Sequence, residues 1–458
     1  MTLLGLTVLS LGIVGSIVAF RDKPGKAIAV YVALLLLMPE WTIRPMRTIA
    51  PFDLTIGKII VFALIAAFIV KDRRLTGFRL NIIDCTLLVA VIGEAVACLV
   101  HFSISKNFEI QANVMSRTAL AYFAVRLGVT SRHDLLLLVK TCAVVAVVLS
   151  FIGILETVGD FNVYDKYAWF AGGHPYGFSS AENPPQRYGF YRAIGPCLSP
   201  HAFGLILCGI LPLLLYLRSD PAWTRKRVAA LYVVLSLGIM STMTSAPLYG
   251  AAATTAILLM YPLKRVFLSL VAAGVIVLAF WAIFFPFVEG MPSPLEVVFR
   301  GAYSRDTAQY RVGLVQEAFG GGMHDHWVFG YGNAGLRTVG EPNPEFTWEH
   351  EDLVNVYVNK LARFGLVAAL PFALLNLLVF VRLGRAFQLH RYESDARLVW
   401  ILMALFVGWQ VALLSMTVLA QMITFYYIIL GVISSLPNIV AEEDELWEAE
   451  RSEAEAMA

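Results

Sequence analysis

The sequence predicts an all-α, polytopic integral membrane protein. Three observations carry that expectation: 58% of the 458 residues are hydrophobic, only 15% are charged, and the mean hydropathy over the whole length is +0.70. An ordinary soluble domain is about a quarter charged, so a disordered chain, a secreted disulfide scaffold and a typical cytosolic enzyme are all excluded. The 35 basic and 33 acidic side chains leave a formal charge of +2, without the basic footprint that neutralises nucleic-acid phosphates. No nucleic-acid partner is expected. Cys85, Cys98, Cys142, Cys197 and Cys208 fall in or beside apolar runs without a CxxC pair, and read as small buried hydrophobes.

A bilayer core about 30 Å thick asks for roughly 20 apolar residues per helix. The apolar runs are 2–20, 27–39, 54–70, 82–101, 110–128, 135–157, 193–217, 228–244, 246–262, 266–287, 353–381, 397–415 and 417–437. The run 27–39 is short, and the pairs 228–262 and 397–437 are nearly continuous, so the expectation is about 12–13 transmembrane helices. The first run lacks a small-residue cleavage site and is expected to be a retained helix. Glu94, near the middle of the run 82–101, fits a proton relay or a paired structural acid equally.

Orientation follows from Lys and Arg in the short loops. One set of alternate loops carries Arg21, Lys23 and Lys26, then Lys71, Arg73, Arg74 and Arg79, then Arg126 and Arg132. The same side continues with Arg218, Arg225, Lys226, Arg227, Lys264 and Arg265, and ends with Arg382, Arg385, Arg391 and Arg397. That side is expected to be cytoplasmic. The chain thus divides into a membrane domain, 1–440, with outer loops at 158–192 and 288–352, and an acidic cytoplasmic tail, 441–458, read as a solvated helical face. The first outer loop is rich in turn formers and aromatics and is expected to be irregular. The second combines an amphipathic helix around Gln309–Phe319 with Gly-rich and Pro-rich turns.

Three features put ionisable groups where the outer loops meet the membrane, a costly placement that makes each a functional candidate. In Tyr191-Arg192-Ala-Ile-Gly195-Pro196, leading to Ser199-Pro200-His201, Arg192 either serves a site or snorkels to headgroups. In Gln309-Tyr310-Arg311-Val312-Gly313, Arg311 and Arg305 are expected on a helix that anionic lipid would also attract. Trp348-Glu349-His350-Glu351-Asp352 stands at the mouth of the run 353–381, with Lys360 and Arg363 further in.

Together these residues resemble the bacterial O-antigen ligase and polysaccharide polymerase superfamily. The resemblance covers about residues 190–370. It includes the Arg and Gly-Pro at a helix entry, a helix pair around Ser241–Gly250, and the Arg of the large outer loop. It continues through Trp327-Val-Phe-Gly330-Tyr-Gly332, the His350 stretch and Ala362-Arg-Phe-Gly365-Leu. Glu351 stands where members usually have Asn, and Thr244-Ser-Ala-Pro247 where many have Ser-Arg. The resemblance implies a glycosyltransferase-C-like, multi-pass protein of the bacterial cytoplasmic membrane with its active site at the periplasmic face. It would transfer glycan from undecaprenyl pyrophosphate to an acceptor sugar hydroxyl, most simply as a polymerase, with a chain-length regulator as a further partner. The alternative within the same chemistry is a ligase acting on lipid A-core or another acceptor.

A sugar on a lipid pyrophosphate is already activated, so the implied reaction calls for no cofactor. What it does call for is a clamp for the pyrophosphate charge, which guanidinium forks provide better than ammonium groups, and a base for the acceptor hydroxyl. Arg192 and Arg311 are the candidates for the first task and His350 for the second. Glu349, Glu351 and Asp352, its sequence neighbours, are candidates to orient the His350 ring or raise its basicity, and Arg187, Tyr188 and Tyr191 are candidates to contact sugar or the interface. Gly330-x-Gly332-x-x-Gly335 matches a dinucleotide fingerprint only formally, since no βαβ context surrounds it. His324-Asp325-His326 lacks the spacing of a zinc site, so no metal is assigned. A reading from another class is a transporter built around Glu94, which would need polar residues repeated at mid-membrane.

Overall fold

The computed structural model describes residues 3–40, 54–71, 78–170, 186–264, 326–331, 355–389, 393–414, 416 and 421–457. Within them the architecture is helical apart from one two-stranded hairpin. The first helices are α1 (Leu3–Arg21), α2 (Pro24–Leu37), α3 (Ile56–Val70), α4 (Ile82–His101), α5 (Ile104–Arg117), α6 (Ala119–Gly128), α7 (Arg132–Gly159) and α8 (Val163–Phe170). After β1 (Gln186–Arg187) and β2 (Phe190–Tyr191) come α9 (Pro200–Ile210), α10 (Arg225–Ser241), α11 (Ser245–Leu259), α12 (Val356–Leu389), α13 (Glu393–Leu413) and α14 (Gln421–Met457).

Polar residues just ahead of the apolar runs set where helices start, because a side-chain oxygen can take an orphan N–H of the first turn. Thr55 caps α3, Ser131 caps α7, Ser199 caps α9 with Pro200 in the first turn, and Thr224 caps α10. Asn81 and Asp84 form a reciprocal capping box at α4.

Six segments are long and apolar enough to cross a membrane: Ile82–His101, Arg132–Gly159, Pro200–Ser219, Val356–Gln388, Asp395–Leu413 and Gln421–Val440. Pro24–Leu37, Ile56–Val70 and Ser245–Leu259 are apolar but shorter. Of the expected 12–13 spans, six are seen as long apolar helices among the described residues, and the run 266–287 lies outside them. The run 110–128 is not one helix. It breaks at Thr118, whose φ of −109° and ψ of −85° are not helical, and the polar sequence of α5 marks the change of character. The run 193–217 begins as an irregular entry and ends as a 3-10 helix, Pro212–Ser219, because Pro212 lacks the N–H that would continue α9.

The Lys- and Arg-rich helix ends gather at one end of the bundle. Lys71 donates to the carbonyl of Asp22 at 3.2 Å, Lys140 pairs with Asp220 at 2.5 Å, and Arg132 pairs with Asp395. Arg382 reaches the Ser434 carbonyl at 3.2 Å, and the Asn81 amide donates to the Ser434 hydroxyl at 2.7 Å. This is the grouping that the alternation of charged loops predicts. Helices α12 and α4, α11 and α13, α2 and α7, and α14 and α6 pack as neighbours. Trp400, Trp409, Phe406, Phe425 and Tyr426 are among the largest fully buried side chains, with Trp409 stacked on Tyr426 at 5.5 Å. Ile13, Ile92, Val144, Phe151 and Leu370 are exposed on helix surfaces, as acyl chains require. Four of the cysteines are buried as expected; Cys85 is exposed on α4 instead. The acidic tail continues α14 as a helix.

Candidate functional site

The end of the bundle opposite the Lys- and Arg-rich ends holds an ordered loop built around Arg192. The segment 158–192 was expected to be irregular throughout, yet it contains α8, because the Asn162 side chain accepts the Asp165 N–H at 2.8 Å and starts a helical turn. Strands β1 and β2 then pair antiparallel across Tyr188-Gly189, both at positive φ, with Gln186 opposite Tyr191. The hairpin delivers Arg187 and Arg192 to the α10–α11 turn. Arg187 Nη1 donates to the Met243 carbonyl at 2.9 Å, Arg192 Nε donates to the Thr242 carbonyl at 3.3 Å, and the Ala193 N–H donates to the Ser241 carbonyl at 3.1 Å. The turn itself is held by the Thr242 and Thr244 hydroxyls, 2.7 Å apart.

A buried carboxylate that sequence reasoning missed organises this loop from below. Glu156, near the end of α7, accepts the N–H groups of Ile194 and Gly195 on one oxygen at 2.9 and 2.8 Å. Its other oxygen accepts from the Asn162 amide at 2.9 Å and from the Val163 N–H at 3.2 Å. Both the Arg192 loop and the start of α8 are therefore anchored on one side chain. The only available sequence signal was an acid near the end of an apolar helix.

Arg192 is half-buried; burial, and then the charge of nearby Arg187, push its guanidinium below the ordinary arginine value. Two like charges at such a depth favour an anion between or beside them. Tyr191 is buried at 3% exposure, whereas Tyr188 is exposed at 78% with the Arg187 guanidinium 5.5 Å from its ring centre. Tyr188 and Phe190, rather than Tyr191, are the aromatic surface the hairpin presents.

A second assembly at the same end joins two sequence segments that lie more than thirty residues apart. The segment 326–331 docks against α12 through backbone hydrogen bonds: Leu366 N–H to Trp327 at 2.7 Å, Val367 N–H to Val328 at 3.2 Å, and Tyr331 N–H to Ala362 at 2.8 Å. Helix α12 is kinked at Gly365, with φ of 64° and ψ of −168°, and the kink frees the N–H groups that the incoming segment needs. Gly330 also has φ of 64°, and a Cβ there would stand 2.6 Å from Gly365 N. Each glycine is thus required by conformation and by space.

Just inside the kink lies a cavity of about 270 Å³ lined by Glu94, Asn113, Arg117, Lys360, Arg363 and Tyr426, among others. Lys360 is ion-paired with Glu94, and Arg117 with Glu40 at 2.6 Å. Gly93 permits the pairing of the first two: a Cβ there would stand 2.2 Å from the Val367 carbonyl, so α4 and α12 touch backbone to backbone. Glu94 is therefore a paired acid, one of the two alternatives open from sequence.

Of the expected site residues, Arg187 and Arg192 come together on the α10–α11 turn, and Tyr191 is buried at the foot of the same hairpin. Arg305, Arg311, His350 and Glu351 lie outside the described residues, as do the segments expected to form a helix around Gln309–Phe319 and a Pro-rich turn at Pro342–Pro344. Among the described residues, no three or more His, Cys, Asp or Glu side chains gather as a metal site would require. No family model matches the chain, and no curated protein matches it. The structure is that of a multi-helix membrane protein.

Proposed function

We propose that the chain is a membrane glycosyltransferase of the O-antigen ligase and polymerase type, acting on a polyprenyl-pyrophosphate-linked glycan at the outer face of a bacterial cytoplasmic membrane. The observation that carries this reading is the Arg187–Arg192 hairpin. It holds two guanidinium groups at the helix-end level of the bundle, on carbonyl oxygens of one rigid turn. A pyrophosphate on a lipid chain arrives at that depth, and paired guanidinium forks hold its charge and the charge that grows on the leaving oxygen. The docking of 326–331 onto α12 supports the same reading, because it joins two stretches on which the family resemblance rests.

In the proposed reaction the acceptor hydroxyl attacks the anomeric carbon, the bond from that carbon to the pyrophosphate oxygen breaks, and the proton passes to a base. Arg192 and Arg311 bind the pyrophosphate, Arg305 and Arg187 add to the clamp, and His350, with Glu351 beside it, takes the proton. Polymer extension is the preferred reaction; transfer of finished glycan to lipid A-core or another acceptor is the alternative. Membranes carrying correctly inserted Arg192→Ala, Arg311→Ala or His350→Ala are to be supplied with lipid-linked repeat units. Polymer yield should fall by about a hundredfold or more, the ordinary scale for a lost acid–base or electrostatic group. Undiminished polymer would defeat the assignment. A deletion strain accumulating single repeat units identifies the polymerase, and one accumulating long unattached chains identifies the ligase.

The Glu94–Lys360 pair beside a polar cavity is the specific observation behind a second reading, a carrier of lipid-linked or polysaccharide substrate. Loss of activity in Glu94→Gln with His350→Ala intact would select it.

A further inference from the structure

The opposite end of the bundle carries a larger cavity, of about 620 Å³, which the proposed transfer reaction does not use. Its walls bring together Arg132 of α7, Arg218 of the 3-10 turn after α9, Arg225 of α10 and Arg397 of α13. Four helix ends therefore contribute one guanidinium each. Among the described residues no carboxylate lines the cavity; at its edge Asp395 pairs with Arg132, and Asp220 with Lys140 at 2.5 Å. Lys264 adds charge close by, its ammonium 4.8 Å from the ring centre of Tyr261, which itself lines the cavity.

Charge alone would fit any anion, but two further features narrow the ligand. Leu215, Leu258, Leu398 and Ile401 give the cavity an apolar wall, continuous with Trp400. The Tyr261 hydroxyl is buried without a hydrogen-bond partner among the described residues, a costly state that a phosphate oxygen would relieve. The cavity sits at the level of helix ends, where lipid headgroups lie, and its volume falls within the range of small-molecule sites, about 300–1,000 Å³.

We propose that this cavity is a binding site for the phosphate of an anionic phospholipid, with the guanidinium groups and the Tyr261 hydroxyl on the headgroup and the apolar wall along the first acyl carbons. Arg218, Arg225 and Arg397 are exposed, so their neutralisation leaves the fold intact. The cavity does not depend on the transfer reaction proposed above.

The test uses the full chain in neutral detergent, with lipid retention read by native mass spectrometry after addition of phosphatidylglycerol, cardiolipin or phosphatidylcholine. The intact protein should retain the anionic lipids about tenfold over phosphatidylcholine, and R218Q/R225Q should lower that retention about tenfold, since each basic group near a charged bilayer contributes a comparable increment. The control is K226Q/R227Q, two exposed cations on the same helix that do not line the cavity. It should retain lipid like the intact protein, and all variants should melt at the same temperature. Equal retention by R218Q/R225Q, or equal loss in K226Q/R227Q, would overturn the site. Calorimetry with inorganic phosphate separates the sources: tight binding of phosphate alone, lost in R218Q/R225Q, would overturn a lipid as the ligand.

Discussion

The Glu156 carboxylate accepts the backbone N–H of Gly195 at 2.8 Å, although the two residues are 39 positions apart. The same oxygen takes the Ile194 N–H, so the loop carrying Arg192 rests on a buried acid of the preceding long helix. Glu156→Gln replaces one acceptor oxygen with an amide that donates, and places a donor against either Ile194 and Gly195 or Asn162 and Val163. The cost should be about 1–3 kcal/mol, seen as a lower melting temperature in detergent. Transfer activity should fall with it, because Arg192 loses its support. A variant with unaltered melting and activity would show that the loop is held by other contacts.

Gly365→Ala should be far more damaging than its size suggests. The residue has φ of 64°, and a Cβ would stand 2.2 Å from the Val328 carbonyl, so the 326–331 segment has to leave its place. A destabilisation of about 2 kcal/mol or more is expected from the backbone conformation and the clash together. Gly384→Ala on the same helix is the control, since nothing lies within 4 Å of its added Cβ. It should be neutral or stabilising by about 1 kcal/mol. Limited proteolysis in the 326–331 region reads the difference directly.

Neutralising one member of the Glu94–Lys360 pair should be worse than neutralising both. Glu94 is buried, and Glu94→Gln would leave the Lys360 ammonium against apolar rings, with its nitrogen 5.3 Å from the Phe364 ring centre. The single change should cost about 3–5 kcal/mol, and the double variant E94Q/K360M should recover most of it. A double variant no more stable than the single one would mean that the ion pair carries something other than mutual neutralisation.

Arg192→Lys preserves charge but removes the planar fork that donates to the Thr242 carbonyl while leaving other donors for a ligand. Polymer formation from lipid-linked repeat units should fall by about tenfold to a hundredfold, the range expected for losing a hydrogen bond to a charged group. Melting should be unchanged. Activity equal to the parent would reduce Arg192 to a point charge and weaken the pyrophosphate assignment.

The helical membrane class and the grouping of charged helix ends were legible along the chain, whereas the breaks inside the runs 110–128 and 193–217 were not. Hydropathy needs only local composition, caps need only a polar residue ahead of an apolar run, and the charge pattern needs only loop order. Asn81, Ser131 and Ser199 accordingly sit where helices begin, and Arg132, Arg218, Arg225 and Arg397 share one end of the bundle. Arg192 stood out because a guanidinium at a membrane entry is costly.

Glu156 and the pairing of Glu94 with Lys360 did not stand out, and the reason is long range. A buried acid is tolerable only through its partners, and two of the four for Glu156 are 38 and 39 residues away, while that of Glu94 is 266 away. Likewise Gly330 and Gly365 are ordinary glycines until the chain returns and their backbones meet. Periodicity and composition report the average environment of a segment, a bilayer in this case. Which carbonyl, carboxylate or glycine faces which is a property of packing, and only the tertiary arrangement of the helices determines it.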